Sequence, residues 1–479
     1  MSCVSEEDYA TDKSVKLRFS SDTLRFDTIF TTMGSVTKTI MVYNKESKPI
    51  KIDQIRLGGG RSSFYRLNVD GDTNIIVKDI EIAAKDSMYI FARVTIDPTN
   101  QNNPLLVSDS IIFSFNNKEQ YVQLEAYGQD AYYHVAKTGS NYCFAQDGDG
   151  CIVNGNNIEW KNDKPHVIFG ILAVDSAYTL NITEGTRICL NTTSNFWVYT
   201  DATLKVNGSI QNPVIFEGMR RDGYYASLPG QWGLLRFFAG SKNSTINNAI
   251  IKNGTIGLLA DSCVTPNSPT VDIVNTRIEN MSNYGLYSRG ANINAANLIV
   301  QNTGKETVAL TIGGKYQFVN CTFSNYWWYD TKRTTKTLLL NNYYTALDGS
   351  IQLRPITECN FYNTIVYGST DEEIAIDKTE GADLIYKFES CLLKTKILNS
   401  QSQTTNNCIF NQDPLFNIPD EGDLRVKANS PAIGNGNGIY SSYYAPSDIT
   451  GYPRPSNPTI GALEYVLIPQ EKVKYLSRR

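Results

Sequence analysis

One phrase recurs through the second half of the chain and limits the fold more than any other feature. A polar residue is followed by a small one, a free position, a large apolar residue, a free position and asparagine. The phrase stands as Asn248-Ala-Ile-Ile251-Lys-Asn253, Asn275-Thr-Arg-Ile278-Glu-Asn280, Asn297-Leu-Ile-Val300-Gln-Asn302 and Asn320-Cys-Thr-Phe323-Ser-Asn325. It continues as Glu358-Cys-Asn-Phe361-Tyr-Asn363, then in worn form as Ser390-Cys-Leu-Leu393-Lys-Thr395 and Asn407-Cys-Ile-Phe410-Asn-Gln412. The first residues of the opening four copies lie 27, 22 and 23 positions apart (275−248, 297−275 and 320−297). A repeat of roughly 20–30 residues marks a solenoid, whose units are stable only against their neighbours. Within each copy the small and the large residue sit two apart, which is a strand period. Stacked β-coils are the predicted architecture.

Stacking also accounts for the chemistry of the phrase. Coils about 4.8 Å apart place like residues above one another, so aliphatic rows fill the interior. Asparagine tolerates a left-handed backbone and can hydrogen-bond its equivalent in the next coil. Asn253, Asn280, Asn302, Asn325 and Asn363 are expected to form one such ladder. Of the nine cysteines, Cys321, Cys359, Cys391 and Cys408 fall in the small-residue slot that Ala249, Thr276 and Leu298 fill earlier. That pattern predicts buried packing rather than a metal cluster. Cys143 and Cys151 enclose the loop Phe-Ala-Gln-Asp-Gly-Asp-Gly, which a disulfide could close in an oxidising compartment or which could stay open.

Composition removes several classes of function. A net charge of −4, from 44 basic and 48 acidic residues, argues against a general nucleic-acid binder. Only two histidines are present, which speaks against a histidine-based triad. No apolar run reaches the roughly 18–20 residues that span a bilayer. No phosphate loop or spaced set of metal ligands is found, and Asp147-Gly-Asp149-Gly lacks the downstream acidic ligand of a calcium loop. Neither metal nor cofactor is expected.

Along the chain, residues 14–130 hold short strands broken by turn residues, among them Lys38 to Tyr43, Ile50 to Leu57, Asn74 to Ile82 and Tyr121 to Tyr127. That spacing predicts an antiparallel β-sandwich. The remaining boundaries are a polar tether over 1–13, a junction over 131–166, coils over 167–412, last coils with a C-terminal cap over 413–465, and a charged tail over 466–479.

The wording of these segments resembles known proteins. Ile40-Met-Val-Tyr-Asn44, Pro49-Ile-Lys-Ile52 and Val122-Gln-Leu-Glu-Ala-Tyr-Gly128 resemble immunoglobulin-like modules found beside bacterial surface enzymes and adhesins. Tyr178-Thr-Leu-Asn-Ile-Thr-Glu-Gly-Thr186, Gly230-Gln-Trp-Gly233 and Asp448-Ile-Thr-Gly-Tyr-Pro-Arg454 resemble the right-handed parallel β-helix proteins of Bacteroidota. Ser2-Cys3 before a polar stretch resembles a processed bacterial lipoprotein. The resemblance implies an all-β protein, a right-handed parallel β-helix preceded by an Ig-like sandwich. It implies a lipid anchor at Cys3, a place on the outer-membrane surface, and a binding or accessory role beside a SusC/SusD-like glycan or nutrient transporter. The alternatives are a polysaccharide lyase or glycoside hydrolase working on the helix face, and a structural or adhesive surface protein.

Three loops break the period and carry the candidate ligand-binding residues. They hold Tyr224 and Tyr225; Tyr326, Trp327, Trp328 and Tyr329 followed by Arg333; and Tyr343 and Tyr344. Four consecutive aromatics cannot all point inward from a strand, and exposed rings mark recognition surfaces. Core packing beneath a loop is the strongest competing reading, ahead of contact with a glycan or a protein. A hydrolase needs two facing carboxylates, and acidic residues do not recur at outward slots of neighbouring copies. Asp371-Glu372-Glu373 reads as a solvated acidic turn. A lyase could draw on Arg289, Lys315, Lys332, Arg333 or Lys336 to neutralise a uronate.

Overall fold

A computed structural model of the chain describes residues 9–31, 34–97, 105–136, 140, 142–263, 268–327, 329 and 333–467. It divides into two compact units, at Ala131 and Tyr132.

In the first unit two sheets share one core. A 4-stranded sheet runs in the order Arg18–Phe19, Lys38–Tyr43, Ser87–Val94, Tyr65–Val69, and a 5-stranded sheet in the order Thr23–Phe30, Lys118–Gln129, Leu105–Phe115, Ile50–Leu57, Ile76–Ile82. Alternation sends Ile40 and Val42 inward from one sheet and Ile50, Ile52, Val122 and Leu124 inward from the other, all of them fully buried. The pairs are antiparallel except for Thr23–Phe30 against Lys118–Gln129, which is parallel. Two strands, Thr23–Phe30 and Tyr65–Val69, add to those the sequence predicted.

The second unit is a parallel solenoid. Three sheets of 11, 9 and 11 strands run its length, and strands pair in parallel with their counterparts one coil on, except that Cys151–Asn154 at the start of the third sheet lies antiparallel to Asn157–Trp160. Ile251, Ile278, Val300, Phe323 and Val366 line its interior from the first sheet, with Leu258, Leu286, Val308 and Leu338 from the second and Ile273, Ile293 and Phe318 from the third. The first coil begins at Tyr132, not at residue 167. Tyr132–Val135 pairs with His166–Phe169, Tyr142–Phe144 with Ile171–Val174, and Asn157–Trp160 with Thr179–Ile182. Strands of three or four residues between Gly-, Asn- and Asp-rich turns give little periodicity to read, so this coil passed for a junction. Its cysteines are not bridged, and Cys151 instead points its Sγ at the Ala145 carbonyl oxygen at 2.9 Å.

The asparagines form two ladders rather than one. The closing residues of the phrase stack as Asn253, Asn280, Asn302 and Asn325, and the next coil supplies Gly368. Asn363 belongs to the other row, with the opening residues Asn248, Asn275, Asn297 and Asn320, all at φ between 49° and 51°. Asn297 donates to Asn275 Oδ1 at 2.9 Å within this row. The fifth copy is therefore Asn363-Thr-Ile-Val-Tyr-Gly368, while Glu358 to Tyr362 lie on the third sheet. Cys359 accordingly stacks under Tyr316, and Thr364 takes the slot shared by Cys321 and Cys391.

Residues 413–465 add no further coil. Phe416–Ile418 and Asp423–Val426 pair only with each other. The segment lies back across the outer face of the first sheet. There Phe416, Leu424, Ala432, Ile449, Ile460 and Leu463 bury Ile299, Ile365 and Leu392. Its helix Gly438–Tyr444 sets Tyr440 on Tyr362 with ring centroids 3.9 Å apart. It thus seals the side of the solenoid where a cap over its end was expected.

Candidate aromatic face

The second sheet carries a face that the sequence reading did not single out. In Asn195-Phe-Trp-Val-Tyr199, alternation buries Phe196 and Val198 and turns Trp197 and Tyr199 outward. Tyr142 and Phe144 do the same two strands earlier in the sheet, and Phe238 follows the strand after. Parallel register then stacks these outward positions, with Phe144 over Ala173, Ala173 over Trp197, and Trp197 over Arg236. Five half-buried rings meet as a result. Trp197 lies 5.7 Å from Tyr142, 6.2 Å from Tyr199 and 5.2 Å from Phe238, and Tyr142 lies 6.5 Å from Phe144. Burial and the neighbouring Tyr142 push the Tyr199 hydroxyl up to about 12, so it stays protonated and able to donate. The signal in the sequence is aromatics two apart, Tyr142 with Phe144 and Trp197 with Tyr199, which only the register across coils brings onto one face.

Polar groups continue the face. The Arg236 guanidinium lies 3.9 Å over the Phe238 ring and makes two bonds to Asp261 Oδ2, at 2.9 Å from Nε and 2.7 Å from Nη2. Arg289, one coil on, holds Asp261 Oδ1 at 2.6 Å through its Nε. Tyr287 and Tyr284 stack beside them at 4.6 Å. Beyond, the row runs Asp261, Arg289, Thr311, Asn341, Asp377. At the near end, Tyr142, Phe144, Asp147 and Asp149 help to wall a cavity of about 310 Å³. Rings with a few fixed polar groups at their edge suit the C–H faces and hydroxyls of sugars.

Among the described residues, the two carboxylates of this row stand far apart. Asp261 is engaged by two guanidinium groups, and Asp377 stands four coils away, roughly 19 Å, well beyond the ~5–9.5 Å that separates hydrolase carboxylates. On the first sheet, Glu217 and Glu279 share an outward row two coils apart, so the acidic residues do not fall in neighbouring coils. Lys252 fills the place between them, 3.3 Å from Glu217 Oε2. Among the described residues no three His, Cys, Asp or Glu side chains are grouped to hold a metal ion.

The loop residues predicted to bind ligand divide. Tyr326 packs edge-on against Phe416 beneath the C-terminal segment. Trp327 and Tyr329 lie 5.0 Å apart, and the Tyr329 hydroxyl donates to the Ser227 carbonyl, which brings them to the loop of Tyr224 and Tyr225. In that loop Tyr224 is 67% exposed and Tyr225 lies under Arg220. Tyr343 donates to Asp377 at 2.8 Å and Tyr344 is exposed on the hairpin of Tyr343–Thr345 and Ile351–Leu353. Trp328 and Cys3 lie outside the described residues. Arg333 is not a ligand contact, because its side chain is 2% exposed and pairs with Glu373 at 2.7 and 2.9 Å. Glu373 is wholly buried, also accepting from Thr337 Oγ1 and Thr370 N, so the acidic turn is solvated only in part. A buried arginine needs such a partner, and the paired partner sat 40 residues away in sequence.

No protein-family model matches the sequence, and no curated protein does. Among solved structures, the catalytic domain of a GH87 α-1,3-glucanase in complex with nigerose aligns over 78% of this chain and 87% of its own, at 10% identity and a TM-score of 0.15. A family 123 glycoside hydrolase from Clostridium perfringens aligns over 24% of this chain at 9% identity and a TM-score of 0.17, and the chain spans only 27% of that enzyme's length. A protein of unknown function from Porphyromonas gingivalis aligns over 27% of this chain and 57% of its own, at 10% identity and a TM-score of 0.18. TM-scores below 0.2 assign neither fold nor function.

Proposed function

We propose that this protein binds a glycan on the outer face of the second sheet of its solenoid. The observation that carries the reading is the cluster of Tyr142, Phe144, Trp197, Tyr199 and Phe238, neighbouring rings 5.2–6.5 Å apart on an outward face. Such rings bury much area at little entropic loss, and Arg236, Asp261 and Arg289 at their edge offer fixed donors and acceptors. An enzyme is disfavoured by the occupied carboxylate and by Lys252 between the two glutamates. The test is affinity electrophoresis through gels cast with neutral polysaccharides, wild type against Trp197→Ala and Tyr199→Ala. Retardation by at least one polymer that both substitutions weaken about tenfold supports the reading, and equal mobility of all three proteins in every gel rejects it.

The wider setting belongs to the same proposal. It is a right-handed parallel β-helix behind an Ig-like sandwich, lipid-anchored through Cys3 at the outer-membrane surface and working beside a SusC/SusD-like transporter. Support comes from the sequence wording alone. Purification from native membranes with mass spectrometry of what accompanies it tests the assembly. Recovery with a transporter and its capture protein supports it, and recovery alone removes it.

A further inference from the structure

A second cluster lies on the first sheet, outside the aromatic face. Glu217 faces outward from strand Val214–Gly218, yet its side chain is only 4% exposed. Three cations surround it: Arg187 Nη1 at 3.1 Å, Lys252 Nζ at 3.3 Å and Arg221 Nη1 at 3.9 Å. Arg220 adjoins them, stacked on Tyr225 at 3.2 Å and 3.5 Å from Asp222. One carboxylate needs one cation, and among the described residues the two partly exposed cations on Glu217, Arg187 and Lys252, already exceed it by 2 − 1 = +1. Adding the next outward residues along the sheet, Arg277 and Glu279, leaves that surplus unchanged. It stands on a chain whose net charge is −4. Arg187 and Lys252 keep 37% and 30% of their side chains in solvent, so the charge is reachable.

The floor between the cations is apolar. Register places Arg187, Ile215, Ile250 and Arg277 in one outward row, with an arginine at each end and two half-exposed isoleucines between. The arginines are three coils apart, roughly 14 Å. Among the described residues the Arg220 Nε is shut off from water and donates to no protein group. A row of this kind fits a chain molecule with repeated anionic groups and apolar faces between them. Buried Glu217 then serves as the fixed centre that holds the cations in place before the ligand arrives.

We infer that the outer face of the first sheet, from Arg187 to Arg277, binds an acidic polysaccharide through its carboxylate or sulfate groups. The inference rests on the glycan-binding reading for the kind of polymer, but uses residues that the aromatic face does not contain.

The test is affinity electrophoresis of the full chain in polygalacturonate, in the same polymer fully methyl-esterified, and in dextran sulfate. Arg187→Gln and Lys252→Gln are compared with wild type, since each leaves Glu217 two other cations and removes one charge. Expected is retardation by an acidic polymer at least tenfold stronger than by the ester, weakened several-fold by each substitution, and lost on raising salt from about 20 to 300 mM. Preference for polygalacturonate or for dextran sulfate tells whether carboxylate or sulfate is the group read. Equal retardation in acid and ester, no retardation in either acidic polymer, or substitutions without effect would each overturn the inference. Thermal unfolding of the variants guards against a folding defect, and if either fails to fold, the salt response of wild type alone decides. Trp197→Ala separates the two proposals, because it should weaken neutral-polymer binding and spare the salt-sensitive part.

Discussion

Asn363 donates its side-chain amide to Asn320 Oδ1 at 3.3 Å, although 43 residues separate them. Both backbones are left-handed, with φ of 49° and 50°. Asn363 further donates to the Asn437 carbonyl oxygen at 2.9 Å and accepts from Asn437 N at 2.7 Å, so one side chain joins two coils to the C-terminal segment. Substitution by glycine keeps the backbone shape and removes the bonds, and should cost about 1–3 kcal/mol. Alanine adds the left-handed strain, roughly a further 1 kcal/mol. Urea unfolding of the two variants should rank them in that order; equal losses would mean that the left-handed strain contributes nothing, and no loss in the glycine variant would mean the same of the amide.

Arg333 and Glu373 make a buried pair whose oxygens are all engaged. Arg333→Ala leaves a carboxylate uncompensated and should cost about 3–5 kcal/mol, whereas Arg333→Met with Glu373→Leu should recover much of that loss. A double variant no better than the single one would contradict this.

The aromatic face predicts a loss without unfolding. Trp197→Ala should weaken glycan binding about tenfold, near 1.4 kcal/mol, with a smaller effect on thermal midpoint than a core substitution such as Phe196→Ala, at about 3–5 kcal/mol. Titration calorimetry and thermal unfolding on the same samples separate the two effects.

His134 and His166 give the fold a pH limit. Their rings stack with Trp160, and His134 Nε2 lies 2.8 Å from His166 Nδ1. His166 Nε2–H donates to the Lys161 carbonyl, so its Nδ1 must accept from His134. Burial lowers His134 well below the usual imidazole range and lowers His166 to about 4. Neutral imidazoles are thus favoured by folding, and the unfolded chain binds more protons between pH 6.5 and 4. Stability should be full above pH 6.5 and fall on acidification toward pH 4, by about 3 kcal/mol from His166 alone. Unfolding midpoints across that range should flatten in His166→Gln, and an unchanged slope would refute the assignment.

Much of this architecture is legible in the sequence, for a physical reason. Parallel register repeats one environment in every coil, so Ile251, Ile278, Val300 and Phe323 announce a shared interior row. The errors have a physical cause too. Strand Ile356–Tyr362 on the third sheet alternates like those of the first sheet and also ends at an asparagine turn, which shifted the fifth copy by one strand. Outward rows were harder to read, because Trp197, Arg236 and Tyr287 share a face only through register across long gaps. The pairing of Arg333 with Glu373 left no local trace at all.

A bare solenoid can lose its end coils one at a time, since each touches only its neighbours. Here residues 413–465 run back along five coils and tie Asn297, Asn320 and Asn363 to one strap. Fraying from the C-terminal edge would have to lift that strap first. Amide exchange should therefore find the coils from Ile299 onward opening together as one block, while those before residue 250 keep the graded, neighbour-by-neighbour openings of an ordinary stack.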